Sequence, residues 1–365
     1  MKRILVVFGT RPEAVKMCPV VNELKGRAGV EVLVCVTAQH REMLDGVLAA
    51  FGVLPDFDLD LMREGQSLSW LTAQVLEGVG EVIDRCAPSA VLVHGDTATA
   101  FASALAAFYR GVPVGHVEAG LRTGDVFDPF PEEFNRRAIA LVAKWHFAPT
   151  DRARDNLLRE GAEEKSILVT GNTVVDALKV TLKKDFSHPI LDFARGRRLI
   201  FLTLHRRESL GAPMREMLSA IRKGVSEGDE VAVVCPAHKT PDVEKAVRDL
   251  LAPCSNVIVC PPLGVIDCHN ILARSFAVLT DSGGIQEEAA ALGVPTLVLR
   301  DKTERQEGVE TGTLRLVGRD GERIYKEIRR LLEDGEAYRS MKSTPNPFGD
   351  GTAAKRVADA VAGEE

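Results

Sequence analysis

Short runs of apolar residues alternate along this chain with longer amphipathic stretches. The apolar runs are rich in Val, Leu and Ile at every position, which is typical of parallel strands buried on both faces. The amphipathic stretches between them predict helices. In the first half the predicted strands are Ile4–Phe8, Val30–Thr37, Ala90–His94, Val112–Val117, Trp145–Ala148 and Ile167–Thr170, and the predicted helices are Glu13–Lys25, Glu42–Phe51, Leu68–Arg85, Thr99–Tyr109 and Glu133–Lys144.

The second half repeats this plan, with predicted strands at Leu199–Leu204, Val231–Cys235, Val257–Cys260, Ala277–Thr280, Thr296–Leu299 and Leu314–Val317. A polar, broken segment between the halves, residues 183–198, is interpreted as a linker. Strands alternating with helices predict an α/β protein with two Rossmann-like, doubly wound domains that face a cleft. The predicted domains are 1–183 and 197–345, and 346–365 forms a last helix that packs back on the first domain.

Composition narrows the class of protein. The chain has 365 residues, 45% of them hydrophobic and 27% charged, so it can form two cores, and disorder or a small disulfide scaffold is excluded. Its net charge of −6 gives no indication of a nucleic-acid or membrane surface. The seven cysteines include no CxxC pair, which favours reduced thiols. The apolar run near Met1 is too short for an export signal, and we expect a cytoplasmic protein without membrane spans.

Acidic residues follow the predicted strands of the first half. Asp96 and Glu118 lie just after two successive strands, and Glu132 lies at the start of the next predicted helix. Ligands of such sheets bind at the carboxyl ends of the strands, so the three carboxylates are candidates for acid–base chemistry. The simpler interpretation is structural: Asp96 caps a helix, and Glu132 interacts with a helix dipole.

Several features point to an anionic ligand. Gly9-Thr10-Arg11-Pro12 follows the first strand and opens a helix, where backbone N–H groups favour an anion, and Arg11 and Lys16 add cations. In the second half, His205 and Arg206 follow one strand, and Ser282-Gly283 follows another and opens a helix. Glu288 could reach a ribose diol, as acidic residues do in dinucleotide sites. These residues predict a diphosphate-linked ligand, whereas HExxH, GxSxG and Walker motifs are absent.

Longer motifs carry a family resemblance. The chain resembles the non-hydrolysing UDP-N-acetylglucosamine 2-epimerases in Gly9–Ala14, Gln39–Leu44, His94–Thr97, Val117–Thr123, Pro131–Arg136, Gly171–Asp176, His205–Glu208 and Asp281–Gly284. This resemblance implies a GT-B-type pair of domains and a homodimer. It also implies interconversion of UDP-N-acetylglucosamine and UDP-N-acetylmannosamine without a metal or a nicotinamide cofactor.

The resemblance also implies roles for single residues. The catalytic groups match Asp96, Glu118, Glu132 and His205, and the groups that bind substrate match Arg11, Lys16, Ser282, Gly283, Glu288 and Arg305. Some members bind a second UDP-N-acetylglucosamine as an activator, through residues that match Gln39, Glu42, Glu132, Arg206 and His238. The chain departs from the family pattern at Gly65, Cys268, His238–Pro241 and Gln306–Gly308.

The chemistry accounts for this set of residues. Breaking the C1–O bond to UDP acidifies C2–H, so that one carboxylate can remove the proton and a second acid can return it to the opposite face. Sequence leaves open which carboxylate does which. It also leaves alternatives for the function: a 2-epimerase of a related UDP-diacetamido sugar or uronic acid, a hydrolysing epimerase, a GT-B glycosyltransferase, and a non-catalytic nucleotide-sugar sensor.

Overall fold

The structure is a computed structural model that describes residues 1–37, 41–61, 63, 65–205, 209–226, 230–237 and 240–363, with the backbone alone at Arg41 and Glu42. The chain forms two compact units. The first comprises Met1–Val180 together with Phe348–Glu365, and the second comprises Thr181–Pro347.

The first unit is built on a seven-stranded sheet with the order β3-β2-β1-β4-β5-β6-β7, in which every pairing is parallel. Its strands are β1 Lys2–Phe8, β2 Val30–Val36, β3 Phe57–Asp58, β4 Ala90–His94, β5 Val114–Val117, β6 Ala143–Ala148 and β7 Ile167–Val169. Its helices are α1 Arg11–Lys25, α2 Arg41–Phe51, α3 Leu68–Cys86, α4 Ala98–Tyr109, α5 Glu132–Val142, α6 Asp151–Arg159, α7 Thr173–Thr181 and, after the second unit, α16 Ala353–Gly363.

The buried strands of this sheet explain the apolar runs of the sequence. All five residues of β4 are buried, and Val91 and Val93 pack with residues of α3 and α4 such as Val75 and Ala104. Helices cover the strands, which is why successive positions are apolar. The strand order reverses between β1 and β4, and a sheet of this kind binds its ligand beside that point.

The second unit repeats the design with a six-stranded parallel sheet of order β10-β9-β8-β11-β12-β13. Its strands are β8 Arg198–Thr203, β9 Val231–Pro236, β10 Val257–Cys260, β11 Ala277–Thr280, β12 Thr296–Val298 and β13 Leu314–Leu316. Its helices are α8 Pro189–Phe193, α9 Ala212–Ser226, α10 Pro241–Leu251, α11 Val265–Ala273, α12 Gly283–Ala291, α13 Gln306–Thr311, α14 Gly321–Glu333 and α15 Gly335–Ser343.

The α/β class with two doubly wound parallel sheets is confirmed. The segment interpreted as a linker differs from its prediction, because it contains α8, and Ile190 of that helix packs into a core cluster with Phe201 and Ile271. The last helix, α16, packs against α1 within the first unit. The predicted cleft between the two domains stays a prediction.

No helix in the described ranges combines the length and the apolar character that crossing a bilayer requires.

Candidate active site

The loop after β1 is tied to the start of α1 by Glu13. Its Oε2 accepts hydrogen bonds from the backbone N–H groups of Gly9 at 3.1 Å and Thr10 at 2.8 Å, and its Oε1 accepts one from the Thr97 hydroxyl at 2.7 Å. The pKa of Glu13 lies above its usual value, because the effect of burial is larger than that of the hydrogen bonds, which lower the pKa. Glu13 therefore joins the loop between β1 and α1 to Thr97, the N-cap of α4.

Glu118 is the centre of a buried cluster at the end of β5. Its backbone has a φ of +64°, a left-handed conformation that is strained for a residue with a side chain. Its Oε2 accepts hydrogen bonds from Lys16 Nζ and from Asn172 Nδ2, the latter at 2.7 Å. The ring nitrogen Nε2 of His94, on the neighbouring strand β4, lies 3.7 Å from the same oxygen. Two donors on one oxygen favour the ionised carboxylate.

Asp96 is held by the first turns of α5. Its Oδ2 accepts hydrogen bonds from Arg136, with Nη2 at 2.6 Å and Nε at 2.9 Å, and its main-chain carbonyl accepts one from Asn135 Nδ2 at 2.8 Å. Arg136 also pairs with the fully buried Glu133 at 3.1 Å. Glu132 is the first residue of α5, so the helix that fixes Asp96 also carries the third candidate carboxylate.

In the second unit, Asp281 orients His205. The Asp281 carboxylate is fully buried at the end of β11, and its Oδ2 accepts the backbone N–H of His205 at 2.8 Å. The ring Nδ1 of His205 lies 3.0 Å from the other oxygen of Asp281. Because a carboxylate can only accept, this contact places the proton of a neutral ring on Nδ1.

Arg305 lies over the N-terminus of α12 in a buried ionic network. Its Nε donates to Glu287 at 2.8 Å, and its Nη1 lies 3.5 Å from Glu304, which also pairs with Arg300 at 2.9 Å. A Cβ atom at Gly283 would come within 2.8 Å of Arg305 Nη1, so glycine leaves room for the guanidinium beside the helix N-terminus. Cations and helix N–H groups together favour an anion at this end of the sheet.

Glu288, the candidate ribose ligand, lies beside a buried histidine. His269 Nε2 is 3.5 Å from Glu288 Oε2, and His269 Nδ1 is 2.7 Å from the hydroxyl of Thr181. The His269 ring thus lies between the Thr181 hydroxyl and the Glu288 carboxylate. Cys268 is buried on the same helix, α11.

The structure brings some predicted residues together and leaves others outside the described ranges. Lys16 contacts Glu118, and Arg305 lies at Gly283 beside Ser282, the N-cap of α12. Of the predicted activator site, Gln39, Arg206 and His238 lie outside the described residues, and Glu42 is described only in its backbone. The candidates named from sequence omit Asn172, Arg136 and Asp281, because their partners are distant in the chain. Their signal in the sequence is a position in one of the family motifs, after a strand for Asn172 and Asp281 and inside α5 for Arg136.

Within the described ranges, His, Cys, Asp and Glu side chains form no group of three or more that could hold a metal ion.

Comparisons with known proteins agree with one another. The sequence model of the UDP-N-acetylglucosamine 2-epimerase family matches residues 22–362. The chain is 52% identical to the UDP-N-acetylglucosamine 2-epimerase of Bacillus subtilis, over 98% of this chain and 94% of that protein. It is 45% identical to the enzyme of the same name from Escherichia coli K12, over 98% of both chains.

The fold agrees as well. The crystal structure of the UDP-N-acetylglucosamine 2-epimerase from Neisseria meningitidis, bound to UDP-N-acetylglucosamine, is similar with a TM-score of 0.95. It is 42% identical in sequence, and the match covers 99% of this chain and all of that chain.

Proposed function

Because the chain belongs to the UDP-N-acetylglucosamine 2-epimerase family, we propose that it interconverts UDP-N-acetylglucosamine and UDP-N-acetylmannosamine by eliminating and re-adding UDP. The observation that carries this proposal is the Glu118 cluster, in which Lys16 and Asn172 hold a buried carboxylate at the end of a strand of a doubly wound sheet. A carboxylate kept ionised in this position suits the removal of a weakly acidic proton.

The reaction needs two proton-transfer groups. As the C1–O bond breaks, its electron pair leaves with the β-phosphate of UDP, and the positive charge that develops at C1 acidifies C2–H. A carboxylate takes that proton, the C2–H electrons form the C1=C2 bond, and 2-acetamidoglucal results. Return of a proton to the opposite face of C2, with re-addition of UDP at C1, gives the epimer. Inversion therefore requires a second acid on the other face.

The first unit supplies candidates for both groups. Glu118 is held ionised by two donors, which suits it to be the base in one direction. Asp96, fixed by Arg136, and Glu132 at the start of α5 are the candidates for the opposite face. Since the reaction is reversible, the acid in one direction is the base in the other.

The second unit supplies the groups that stabilise the leaving diphosphate. The N-terminus of α12 at Ser282 and Gly283 provides N–H donors to phosphate oxygens, and Arg305 adds positive charge beside that N-terminus. His205, oriented by Asp281 through Nδ1, donates to a phosphate oxygen from Nε2 in its imidazolium form. Glu288 is the proposed ligand of the ribose hydroxyls. Arg11, at the start of α1, is a further candidate for phosphate.

Carboxylate variants test the assignment. Asp96→Asn, Glu118→Gln and Glu132→Gln keep the side-chain shape and remove the charge, so each should lower turnover by roughly 10²–10⁴-fold. Turnover is measured by NMR in D₂O with UDP-N-acetylglucosamine, as the loss of the C2 proton signal and the appearance of the epimer. Glu163→Gln, at an exposed carboxylate paired with Lys165, is the control and should leave the rate unchanged.

The same assay separates the alternative functions. A glycosyltransferase would give no epimer without an acceptor, and a hydrolysing enzyme would accumulate free N-acetylmannosamine. A sensor would bind UDP-N-acetylglucosamine without exchanging its C2 proton. A panel that includes UDP-diacetamido sugars tests the related epimerase. Wild-type turnover in all three carboxylate variants would contradict the proposed catalytic roles of Asp96, Glu118 and Glu132.

We further propose that the protein is a homodimer that associates through α4 and α5. These helices pack together and expose large apolar side chains: Phe108 is 55% exposed, Tyr109 67% and Leu141 85%. Exposed apolar clusters of this kind mark protein interfaces.

Two further predictions stay proposals. One is an activator site, made of Gln39, Glu42, Glu132, Arg206 and His238, and the other is a cytoplasmic location. The location is supported by seven cysteines that are all free thiols, each within the described ranges.

Light scattering after size-exclusion chromatography tests the dimer. Leu141→Glu should shift the mass from about twice to about once that of the chain, because a buried charge without a partner opposes association. Leu54→Glu replaces another exposed leucine outside α4 and α5 and should leave the mass unchanged. A wild-type monomer, or a dimer that survives Leu141→Glu, would contradict this interface.

A further inference from the structure

Asn172 is a buried side chain that touches Glu118 and neither moves a proton nor binds UDP in the reaction described above. It is 2% exposed. Its Oδ1 accepts the backbone N–H of Val174 at 3.0 Å, and its Nδ2 donates to Glu118 Oε2 at 2.7 Å. Because only the oxygen of the amide can accept from Val174, the orientation of the amide is determined, and its N–H₂ must face the carboxylate.

The backbone of Asn172 is held by a distant part of the chain. Its N–H donates to the carbonyl of Phe348 at 2.7 Å. This contact depends on glycine, because a Cβ atom at Gly349 would lie 2.9 Å from the Cα of Gly171 and 3.2 Å from the Asn172 nitrogen. The C-terminal segment of the first unit thus fixes the position from which Asn172 reaches Glu118.

Contacts of α16 hold that segment in place. Asp176 accepts the backbone N–H groups of Ala353 and Ala354 at 3.2 and 3.1 Å, and Arg356 donates to the carbonyl of Thr170 at 2.8 Å. These partners lie on both sides of Asn172 in sequence. The chain around Asn172 and the start of α16 therefore form one hydrogen-bonded assembly.

Glu118 needs such support. Its left-handed backbone conformation is unfavourable for a residue with a side chain, so contacts around it must keep it in place. Asn172, Lys16 and His94 all face the Oε2 of Glu118. Asn172 is a neutral donor, whereas Lys16 on α1 and His94 on β4 are charged or titratable. Of these three groups, Asn172 is the one whose hydrogen bond is independent of pH, and its loss would remove that contribution to the carboxylate.

We infer that Asn172 is a positioning residue for Glu118, and that the C-terminal segment at Phe348 and Gly349 supports catalysis by holding Asn172. This inference rests on the proposed role of Glu118 as the group that moves the C2 proton. Asn172 itself takes no proton. It fixes one oxygen of the carboxylate and favours the ionised form.

The pH profile of turnover tests the inference. Asn172→Ala removes one hydrogen bond to a charged group, so kcat should fall about 10- to 100-fold at neutral pH, and KM should change less than kcat. The acid limb of the kcat profile should move to higher pH, because Glu118 loses a donor that favours its ionised form. Asn172→Asp places a second carboxyl against Glu118 and should move the limb further in the same direction.

Asn256→Ala is the matched control for a structural effect. Asn256 donates through Nδ2 to the carbonyls of Val225 at 2.9 Å and Val231 at 3.2 Å, within the second unit, whereas the candidate catalytic carboxylates belong to the first unit. Its loss should lower the free energy of unfolding and leave the acid limb in place. Turnover in each case is normalised to the folded fraction measured by circular dichroism.

Two outcomes separate this inference from the proposed function. Wild-type turnover in Glu118→Gln would overturn the role of Glu118 itself. If Glu118→Gln is inactive while Asn172→Ala and Asn172→Asp both keep the wild-type acid limb, only the positioning role of Asn172 is overturned.

Discussion

Three histidines, His94, His116 and His146, lie on the neighbouring strands β4, β5 and β6 of the first unit. Burial lowers the pKa of His116 to about 3 and that of His146 to about 4. The Nε2 of His116 lies 2.7 Å from the Gly95 carbonyl, so it carries the ring proton, and Nδ1 has no hydrogen-bond partner among the described residues. Protonating that nitrogen would leave a charge buried without compensation.

The lowered pKa values of His116 and His146 predict a loss of stability on mild acidification. In the unfolded chain a histidine titrates near pH 6.5, so below that pH the unfolded state binds protons that the folded state excludes. Stability that is fully present above pH 6.5 is therefore lost as the pH falls toward 4. His116→Gln keeps an N–H donor and removes the titration, so the dependence of the unfolding free energy on pH should lessen by up to about 1.4 kcal/mol per pH unit. Urea unfolding between pH 4.5 and 7.5 measures this, and an unchanged slope in the variant would refute it.

Single residues show where reasoning from sequence succeeds. The rule that ligands lie at strand ends selected Asp96, Glu118 and His205 without a structure, and their roles stay predictions. The same rule could not find that Lys16 contacts Glu118, because the two are 102 positions apart and the contact depends on how α1 packs. The contact of Asn172 with Glu118 could not be predicted either. An asparagine after a strand is a common turn residue, so its position alone does not indicate a role at the site.

At the scale of elements, the loop after β5 depends on the backbone of α6. Gly120 has a φ of +90°, and a Cβ atom there would lie 2.2 Å from the carbonyl oxygen of Ala153. Asn156 of the same helix donates to the Gly120 carbonyl at 2.9 Å. The helix thus approaches the chain two residues after Glu118, and only glycine leaves the space.

Paired glycine variants test this contact. Gly111 also has a positive φ, +65°, but an added Cβ would meet nothing within 4 Å, so Gly111→Ala should cost only about 1–2 kcal/mol of stability for its backbone. Gly120→Ala carries the same cost and must also move α6, so its loss of unfolding free energy should be clearly larger. Denaturant unfolding compares the two. Equal losses would show that the approach of Ala153 is unimportant.

Several elements were not predicted from the sequence, among them α6, α7, β3 and α8, and β3 and α8 show two reasons. Strand β3 has two residues, Phe57–Asp58, too few for an apolar pattern. Helix α8 lies in a segment whose polar residues suggested a linker, and only Ile190 and Ala194 are buried there. The long strands and helices were predicted well, because burial on both faces of a parallel sheet leaves a continuous apolar signal.

At the scale of the whole molecule, the chain builds the same doubly wound sheet twice. The first sheet carries the candidate carboxylates and the second carries the candidate diphosphate ligands, and the proposed elimination requires both sets. The two sheets follow from the alternating pattern of the sequence. The chain returns to the first unit at Phe348, where contacts such as the one from Asn172 to Phe348 hold it.

Positional isotope exchange tests the central claim most directly. UDP-N-acetylglucosamine carrying oxygen-18 in the C1–O bridge is incubated with the protein in D₂O. If UDP leaves before the C2 proton returns, its β-phosphate can rotate, and the label should appear in the non-bridging β-phosphate oxygens while deuterium enters C2 of the epimer. Epimerisation that keeps the original hydrogen at C2 and leaves the label in the bridge would contradict elimination, and the proposed roles of Asp96, Glu118 and Glu132 would fall with it.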